Sequence, residues 1–287
     1  MNIRIVQRED IDKVKWNSCV HYAEKGNPFG YLWFLDNISK DWIGIVEDDY
    51  HSVMPVFKTK SFWGKIKFES PKLLPFFQLY SVNVLSFKRV KAFMNLAQQE
   101  VAGIDIKNAF IGFINPEQEQ IKQSNHSIDI LNIGSRYTTL LNDFSEELKN
   151  IEHNIELDKY TLNSLKIEET AEFMARENKL KNKEKFSLMR LFYNAQQRQL
   201  GQVFALQDSD KTILALDFIF FSHGKMISFL PTSTKKGKTI NAEGIIFTRL
   251  LKRFAGQPLK FYKHPNSTLK DDFSNKKTSI TLYNLKQ

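Results

Sequence analysis

The stretch Ile213–Phe221, which reads ILALDFIFF, decides the fold because both of its faces are apolar when it is read as a strand. Such a strand belongs inside a sheet that is covered on both sides. A turn over 222–225 leads to a second predicted strand, MISFL over 226–230, and then to the polar loop PTSTKKGKT over 231–239. A predicted helix follows, and its apolar residues Ile246, Leu250 and Phe254 repeat every four positions.

This order of strand, loop with Gly and Lys, and helix suits an anion. Free backbone N–H groups and the positive end of the helix dipole attract negative charge at a helix N-terminus. We therefore expect a phosphate-bearing cofactor, if there is one, on residues 228–244. The predicted contacts are Ser228, Leu230, Thr232, Lys235, Lys236, Gly237, Lys238, Thr239, Asn241 and Gly244.

The positive charge of the chain is concentrated in the same region. The 287 residues carry a formal net charge of +9, and residues 235–277 contribute eight of these units. Three interpretations stay open: a solvated basic face, a phosphate-rich ligand such as coenzyme A, and the backbone of an RNA.

The amino-acid composition limits the classes of protein to which the chain can belong. The hydrophobic fraction of 42% and the charged fraction of 25% are those of an ordinary globular protein. No stretch approaches the roughly 18 apolar residues of a membrane span, and the first ten residues lack the apolar core of a signal peptide. The single cysteine, Cys19, excludes an internal disulfide, which fits a reducing compartment. We expect a cytoplasmic protein without a membrane partner, and Cys19 in the core.

Both halves of the chain show the same order of predicted elements: helix, helix, hairpin strands, helix, strand, short helix, strand. This order predicts an α+β fold with mixed sheets and a duplicated unit, divided into domains 1–143 and 144–287. A helix over 186–200 is expected to end at Gly201 as its C-terminal cap. Residues 127–132 and 137–141 are expected to form the closing strands of the first half, and a polar helix is expected over 269–273.

The same order occurs in the acetyltransferase fold called GNAT, and its tandem version resembles the Fem-type transferases. Four short motifs look like those of a bacterial group of GNAT-like proteins: YLWFLD over 31–36, DDYHSVMP over 48–55, FQLY over 77–80, and LPTSTKKG over 230–237. The resemblance implies two tandem GNAT-like units. It also implies N-acyl transfer from an acyl-CoA, such as acetyl-CoA, to a small amine or amino sugar. The predicted cofactor loop supplies Gly237 and Gly244, at a spacing that differs from the usual GNAT spacing.

A second class of function stays open beside the acyltransferase. The chain could be a Fem-like transferase that uses aminoacyl-tRNA, or a GNAT relic without activity that binds RNA or another partner. Steep salt dependence of tRNA binding would distinguish this class. A metal site is not expected in either class, because the six histidines show no zinc-binding spacing.

Asp217 is the most informative single residue, because it interrupts an apolar strand. A buried carboxylate needs a partner or a shifted pKa. It is therefore either a structural hydrogen-bonding group or a catalytic base that contacts the substrate amine. Tyr262, with His264 beside it, is a second catalytic candidate, as a general acid.

The first half is expected to shape the acceptor side through Tyr50, Gln78 and Tyr80. Its helix at Phe87 follows VNVLS over 82–86, which has no glycine that would let a phosphate approach the backbone. The cofactor is therefore assigned to the second half. A β-branched residue at Gly237 is expected to weaken cofactor binding and to leave the melting temperature almost unchanged.

Overall fold

A computed structural model describes residues 1–60, 64–110, 121–269 and 277–286. The chain divides into two compact units, Met1–Ser127 together with Thr281–Gln287, and Ile128–Ile280. The second unit therefore starts at Ile128, and the end of the chain returns to the first unit. The predicted division into 1–143 and 144–287 does not include this return.

The helices and strands follow one another in an α+β order. The helices are α1 (Lys13–Tyr22), α2 (Leu32–Ile38), α3 (Phe87–Glu100), α4 (Tyr137–Asn142), α5 (Glu146–His153), α6 (Ile167–Glu177), α7 (Asn182–Gln197), α8 (Lys235–Thr239) and α9 (Ala242–Phe254). The strands are β1 (Ile3–Val6), β2 (Trp42–Glu47), β3 (Ser52–Lys60), β4 (Ile66–Glu69), β5 (Phe77–Gln78), β6 (Tyr80–Ser81), β7 (Ile104–Phe110), β8 (Ile121–Asn132), β9 (Thr161–Asn163), β10 (Gly201–Gln207), β11 (Ile213–Ser222), β12 (Lys225–Ser233), β13 (Lys260–Tyr262) and β14 (Lys277–Lys286).

The first unit is built on a mixed sheet with the strand order β1-β2-β3-β4-β7-β14. Strands β4 and β5 run parallel to β7, while β14 runs antiparallel to it, with Tyr283 opposite Ala109. Helices α1 and α3 supply Trp16 and Phe93, both fully buried, to the core of this unit. The Trp16 indole also donates to the Gly30 carbonyl oxygen at 2.9 Å.

The second unit is built on a mixed sheet with the order β8-β13-β12-β11-β10-β9. Its parallel pair is β12 with β13, and the other neighbouring strands run antiparallel. Helix α9 packs its buried residues, among them Ile246 and Leu250, on one face of this sheet.

Strand β11 is covered on both faces, as its sequence predicts. Ile219 belongs to the core beneath α9, whereas the adjacent residue Phe218 points the other way and stacks on Phe192 of α7 with ring centroids 4.1 Å apart. Phe218, Ile219 and Phe220 are each 1% exposed or less. The apolar run therefore reflects burial from two sides.

Two local predictions are wrong. Residues 137–141 form helix α4 and not a strand, and Leu140 is the buried residue of that helix. Gly201 opens strand β10, and the left-handed position that follows α7 is taken by Gln199 with a φ of 56°. A Cβ atom at Gly201 would lie 2.3 Å from the Phe218 ring, so this glycine is needed for packing. Most of the helix predicted over 269–273 lies outside the described residues.

No helix in the described ranges is both long enough and apolar enough to cross a membrane.

Candidate functional site

A narrow pocket opens in the second unit where β12 and β13 separate. The two strands pair only from Lys225 with Lys260 to Ile227 with Tyr262. The pocket lies at the end of this pairing, lined by Ser228, Thr232 and Ser233 of β12 on one side and by Phe261 and Lys263 on the other. Its free volume is about 10 Å³, which is the space of roughly one water molecule.

Strand β12 carries a β-bulge beside this pocket. Leu216 pairs with Thr232 and Phe218 pairs with Phe229, so Leu230 and Pro231 stand opposite the single residue Asp217. Two residues facing one define a bulge, which bends the strand and re-aims its backbone. Leu230 has a φ of 55°, in the left-handed region that a bulky side chain adopts only under constraint.

The Asp217 carboxylate lies in the pocket lining and is engaged by the bulged strand. The Ser228 hydroxyl donates to Oδ2 at 2.5 Å, and the Phe229 N–H donates to Oδ1 at 3.1 Å. Asp217 is 6% exposed. Burial raises its pKa well above the ordinary value of 3.8; the Ser228 hydrogen bond opposes the rise and the nearby charge of Glu243 adds to it.

Two more charged side chains line the pocket. The Lys263 ammonium forms a buried ion pair with Asp129 at 2.9 Å and donates to the Leu269 carbonyl oxygen at 2.9 Å. Glu243, in the first turn of α9, accepts from the Thr268 N–H at 3.0 Å and from the hydroxyls of Ser267 and Thr268. The segment over 267–269 is thereby tied to both sides of the pocket.

The predicted cofactor loop is in part a helix. Residues Lys235–Thr239 form the short helix α8, and its Thr234 cap accepts from the Gly237 N–H at 2.9 Å. Lys236 forms an ion pair with Asp208 at 3.0 Å, while Lys235 and Lys238 are exposed. The Thr239 hydroxyl donates back to the Lys235 carbonyl oxygen at 3.2 Å.

The structure contradicts the expected effect of substituting Gly237. A Cβ atom at this position would lie 2.1 Å from the Leu214 carbonyl oxygen, which is backbone and cannot turn aside. Any larger side chain would push α8 away from β11, so the melting temperature must fall. The glycine is required for close packing.

The remaining predicted cofactor residues lie at the start of α9. Asn241 caps this helix from the left-handed region, with a φ of 52°, and accepts from the Gly244 N–H at 3.1 Å. Thr239 and Asn241 also line an open groove of about 620 Å³ beside α5, together with Asn150, Lys159 and Tyr160. This groove is large enough for part of a ligand, whereas the pocket is not.

Tyr262 lies on β13 between the pocket-lining residues Phe261 and Lys263, so its side chain points to the opposite face of the sheet. Burial raises the pKa of its hydroxyl, and the Lys225 ammonium lies 5.4 Å from its ring centroid. The neighbouring His264 is buried and accepts from the Asn266 N–H at 3.1 Å. The structure therefore does not bring Tyr262 together with Asp217.

The residues predicted to bind the acceptor are buried inside the first unit. The Tyr50 hydroxyl accepts from the Asp12 N–H at 2.9 Å. Asn27 joins the other two, because its amide donates to Gln78 Oε1 at 2.8 Å and its Oδ1 accepts from the Tyr80 hydroxyl at 2.9 Å. All these side chains are at most 6% exposed, so their role in acceptor binding remains a prediction.

Cys19 is a core residue, as its sequence position predicts. It is 2% exposed, and its Sγ atom contacts the Tyr80 carbonyl oxygen at 3.8 Å. Burial raises the pKa of its thiol to about 12, which keeps it protonated. Within the part of the chain that the structure describes, no group of three His, Cys, Asp or Glu residues could hold a metal ion.

Among the polar pocket residues that are absent from the predicted contacts are Glu243, Lys263 and Ser267. Glu243 carries a signal, since an acidic residue in the first turn of a helix is favourable. Lys263 carries a weaker sequence signal, because it is a cation that directly follows a buried strand. Ser267 gives none, because its position depends on a loop contact.

Solved structures share this architecture over almost the whole chain. A crystal structure of FemX aligns with a TM-score of 0.59 and 10% identity, covering 99% of this chain and 97% of FemX. A tandem GNAT protein from the clavulanic acid biosynthesis pathway aligns with a TM-score of 0.50 and 7% identity, covering 99% and 98%. This chain has the tandem GNAT fold.

L-PGS from Bacillus licheniformis has a similar structure, with a TM-score of 0.52, 14% identity, and coverage of 95% of this chain and 90% of that one. No protein-family model matches the sequence, and neither does a curated protein. The predicted fold class, α+β with two GNAT-like units and mixed sheets, is confirmed. The similarity is one of fold, and a fold alone does not determine the function, which depends on the residues of the site.

Proposed function

We propose that the second unit transfers an acyl group from an acyl-CoA thioester to the nitrogen of a small amine or amino sugar. The observation that carries this proposal is the pocket at the separation of β12 and β13, with the bulge of Leu230 and Pro231 beside it and Pro231 in its lining. A strand that leaves its neighbour exposes backbone groups to a ligand inserted between them. Those groups can bind the amide-rich arm of coenzyme A.

The chemistry needs few groups. The amine nitrogen attacks the thioester carbon, the C–S bond breaks, and the thiol of coenzyme A leaves with the proton that the amine loses. A backbone N–H near the carbonyl oxygen stabilises its developing negative charge. Of the two bulge residues only Leu230 has an N–H, because the other is Pro231. Leu230 is therefore the proposed donor.

The groove beside α5 supports a place for the nucleotide end of the cofactor. Thr239 and Asn241 line it, Lys159 contributes a positive charge, and the exposed residues Lys235 and Lys238 lie on the adjoining helix α8. The narrow pocket would have to widen for the acyl end, which requires the segment over 267–269 to separate from Glu243.

The test is calorimetry with acetyl-CoA. Ser233 lines the pocket and is half-buried, so Ser233→Trp fills its mouth. The matched control is Ser209→Trp, in the exposed turn between β10 and β11. We expect wild type and the control to bind equally and Ser233→Trp to bind at least about tenfold more weakly. Absence of binding to wild type, or equal binding by all three proteins, would contradict the proposal.

A second candidate is transfer from aminoacyl-tRNA, which is favoured by the eight excess positive charges of residues 235–277. Neutralisation of RNA phosphates by Lys and Arg makes affinity fall steeply with salt. We would measure filter binding of tRNA at low and physiological salt, for wild type and for Lys235→Ala/Lys238→Ala. Tight, salt-dependent binding together with no response to acetyl-CoA would replace the first proposal.

A further inference from the structure

Asp217 and Ser228 hold the bulge from the side that precedes Leu230. Both donors to the carboxylate, the Ser228 hydroxyl and the Phe229 N–H, belong to the two residues directly before Leu230 on β12. Asp217 itself lies on β11, opposite the bulge. A carboxylate that reaches across the ladder in this way replaces the backbone pairing that the bulge interrupts.

A second contact holds the bulge from the side that follows it. The Thr232 hydroxyl donates to the Leu230 carbonyl oxygen at 2.7 Å, and it accepts from the Asn178 side chain at 2.9 Å. Leu230 is thus fixed between two sets of side-chain hydrogen bonds. A left-handed leucine persists only where its surroundings over-determine its conformation.

From this arrangement we infer that Asp217 is a positioning residue: its carboxylate fixes the bulge of β12, and with it the direction of the Leu230 backbone N–H. Its consequence for catalysis rests on the proposed acyl transfer, in which Leu230 donates to the thioester oxygen. A general base would need a further contact between a carboxylate oxygen and the substrate amine. The positioning role uses the two contacts that the structure already has.

Amide hydrogen exchange tests the inference without any ligand. We would compare wild type with Asp217→Asn and Ser228→Ala, and with Thr248→Val as the control. Thr248 is also a buried hydroxyl of the second unit, but it donates to the Ile245 carbonyl oxygen within α9. The two bulge variants are expected to accelerate exchange at Phe229 and Leu230 by about tenfold or more, and the control to leave it unchanged.

Unchanged exchange at Phe229 and Leu230 in both bulge variants, which must still be folded by circular dichroism, would overturn the positioning role. The two substitutions also guard against a misfolded variant, since Ser228→Ala leaves the contact between Phe229 and Asp217 in place. Equal acceleration by Thr248→Val would overturn it as well, because the effect would then be a general loosening of the unit.

The catalytic consequence has its own readout. We would measure the ratio of the affinities for acetyl-CoA and coenzyme A, which isolates the contact to the acyl group. The bulge variants are expected to lower this ratio severalfold and to retain affinity for coenzyme A. If the bulge variants exchange faster at Phe229 and Leu230 but keep the wild-type ratio of affinities, the catalytic part of the inference is overturned and the positioning role is not. If wild type binds neither compound, the proposed function fails while the exchange result still decides the positioning role.

Discussion

Two residues beside the pocket are governed by backbone geometry, Gly237 and Leu230. Gly237 allows α8 to touch the Leu214 carbonyl oxygen, and Leu230 takes a left-handed φ of 55° although it is not a glycine. In the first case a missing side chain permits the contact. In the second case the surroundings compensate an unfavourable conformation. The close contact at Gly237 and the constrained conformation of Leu230 both hold the segment 228–239 against β11.

Replacing Gly237 by alanine should therefore lower the free energy of unfolding by about 1–3 kcal/mol, because the added methyl group overpacks the contact with Leu214. The control is Gly134→Ala, where the atom nearest to a Cβ atom, Asn132 Oδ1 at 3.2 Å, belongs to a side chain that can shift and not to the backbone. Urea denaturation of both variants measures the difference. Equal stability of the two variants would contradict the packing role.

The raised pKa of Asp217 gives a second prediction. Because burial makes the folded protein bind this proton more tightly than the unfolded chain does, stability must fall as the pH rises from the ordinary value of 3.8 toward the folded pKa. Asp217→Asn replaces the titrating carboxyl group by an amide that stays neutral over this pH range. Between about pH 4 and pH 7, we expect the free energy of unfolding of wild type to decrease relative to that of Asp217→Asn.

Denaturation curves of both proteins at several pH values provide the measurement. A difference that stays constant across this range would mean that burial does not shift the pKa of Asp217. A difference that grows in favour of wild type with rising pH would mean that the carboxylate is stabilised in its charged form.

At the scale of elements, α3 is anchored to the β2–β3 hairpin by an ion pair whose carboxylate is buried and whose guanidinium is partly exposed. Glu47 is 2% exposed, and its carboxylate accepts from the Arg89 guanidinium at 2.9 Å and from the Ser52 hydroxyl at 2.5 Å. Arg89 also donates to the Val84 carbonyl oxygen, which holds the loop before the helix. The pair thus connects a sheet, a helix and the loop between them.

Arg89→Ala should destabilise the protein by about 3 kcal/mol, because it leaves the Glu47 carboxylate buried without its cation. Lys88→Ala is the matched control, since Lys88 is the exposed neighbour on α3. That control should change stability by less than about 0.5 kcal/mol. Thermal and urea denaturation test both variants; a loss below 1 kcal/mol for Arg89→Ala would show that water replaces the arginine.

The sequence predicts elements well where periodicity is strong and local. Strand β11, predicted over 213–221, spans Ile213–Ser222, and the strand predicted over 226–230 lies within β12, Lys225–Ser233. The bulge is not predictable in this way, because the left-handed φ of Leu230 depends on hydrogen bonds with Asp217 and Asn178, which are distant in sequence. The same reason explains α8: its cap at Thr234 is visible in the sequence, but its contact with Leu214 is not.

For the whole molecule, the duplicated order of elements predicts an α+β fold with two similar units, and the resemblance to GNAT and Fem-type proteins identifies that fold as the tandem GNAT fold. The pattern could not show that the last strand returns to the first unit, because strand pairing over more than 170 positions leaves no local signal. β14 pairs with β7 through Tyr283 and Leu285, and Leu282 is fully buried. The chain therefore closes its first unit with its final residues.

This return predicts which unit responds to a cavity near the C-terminus. Leu282→Ala and Leu250→Ala remove the same side chain from fully buried positions, one in β14 and one in α9. Each cavity should cost about 2–5 kcal/mol in the unit that contains it. Amide exchange at Ile106 in β7 reports on the first unit, and exchange at Ile219 in β11 reports on the second. We expect Leu282→Ala to accelerate exchange mainly at Ile106 and Leu250→Ala mainly at Ile219. Equal acceleration at both sites by either variant would mean that the units open together, and that the C-terminal strand stabilises the whole chain.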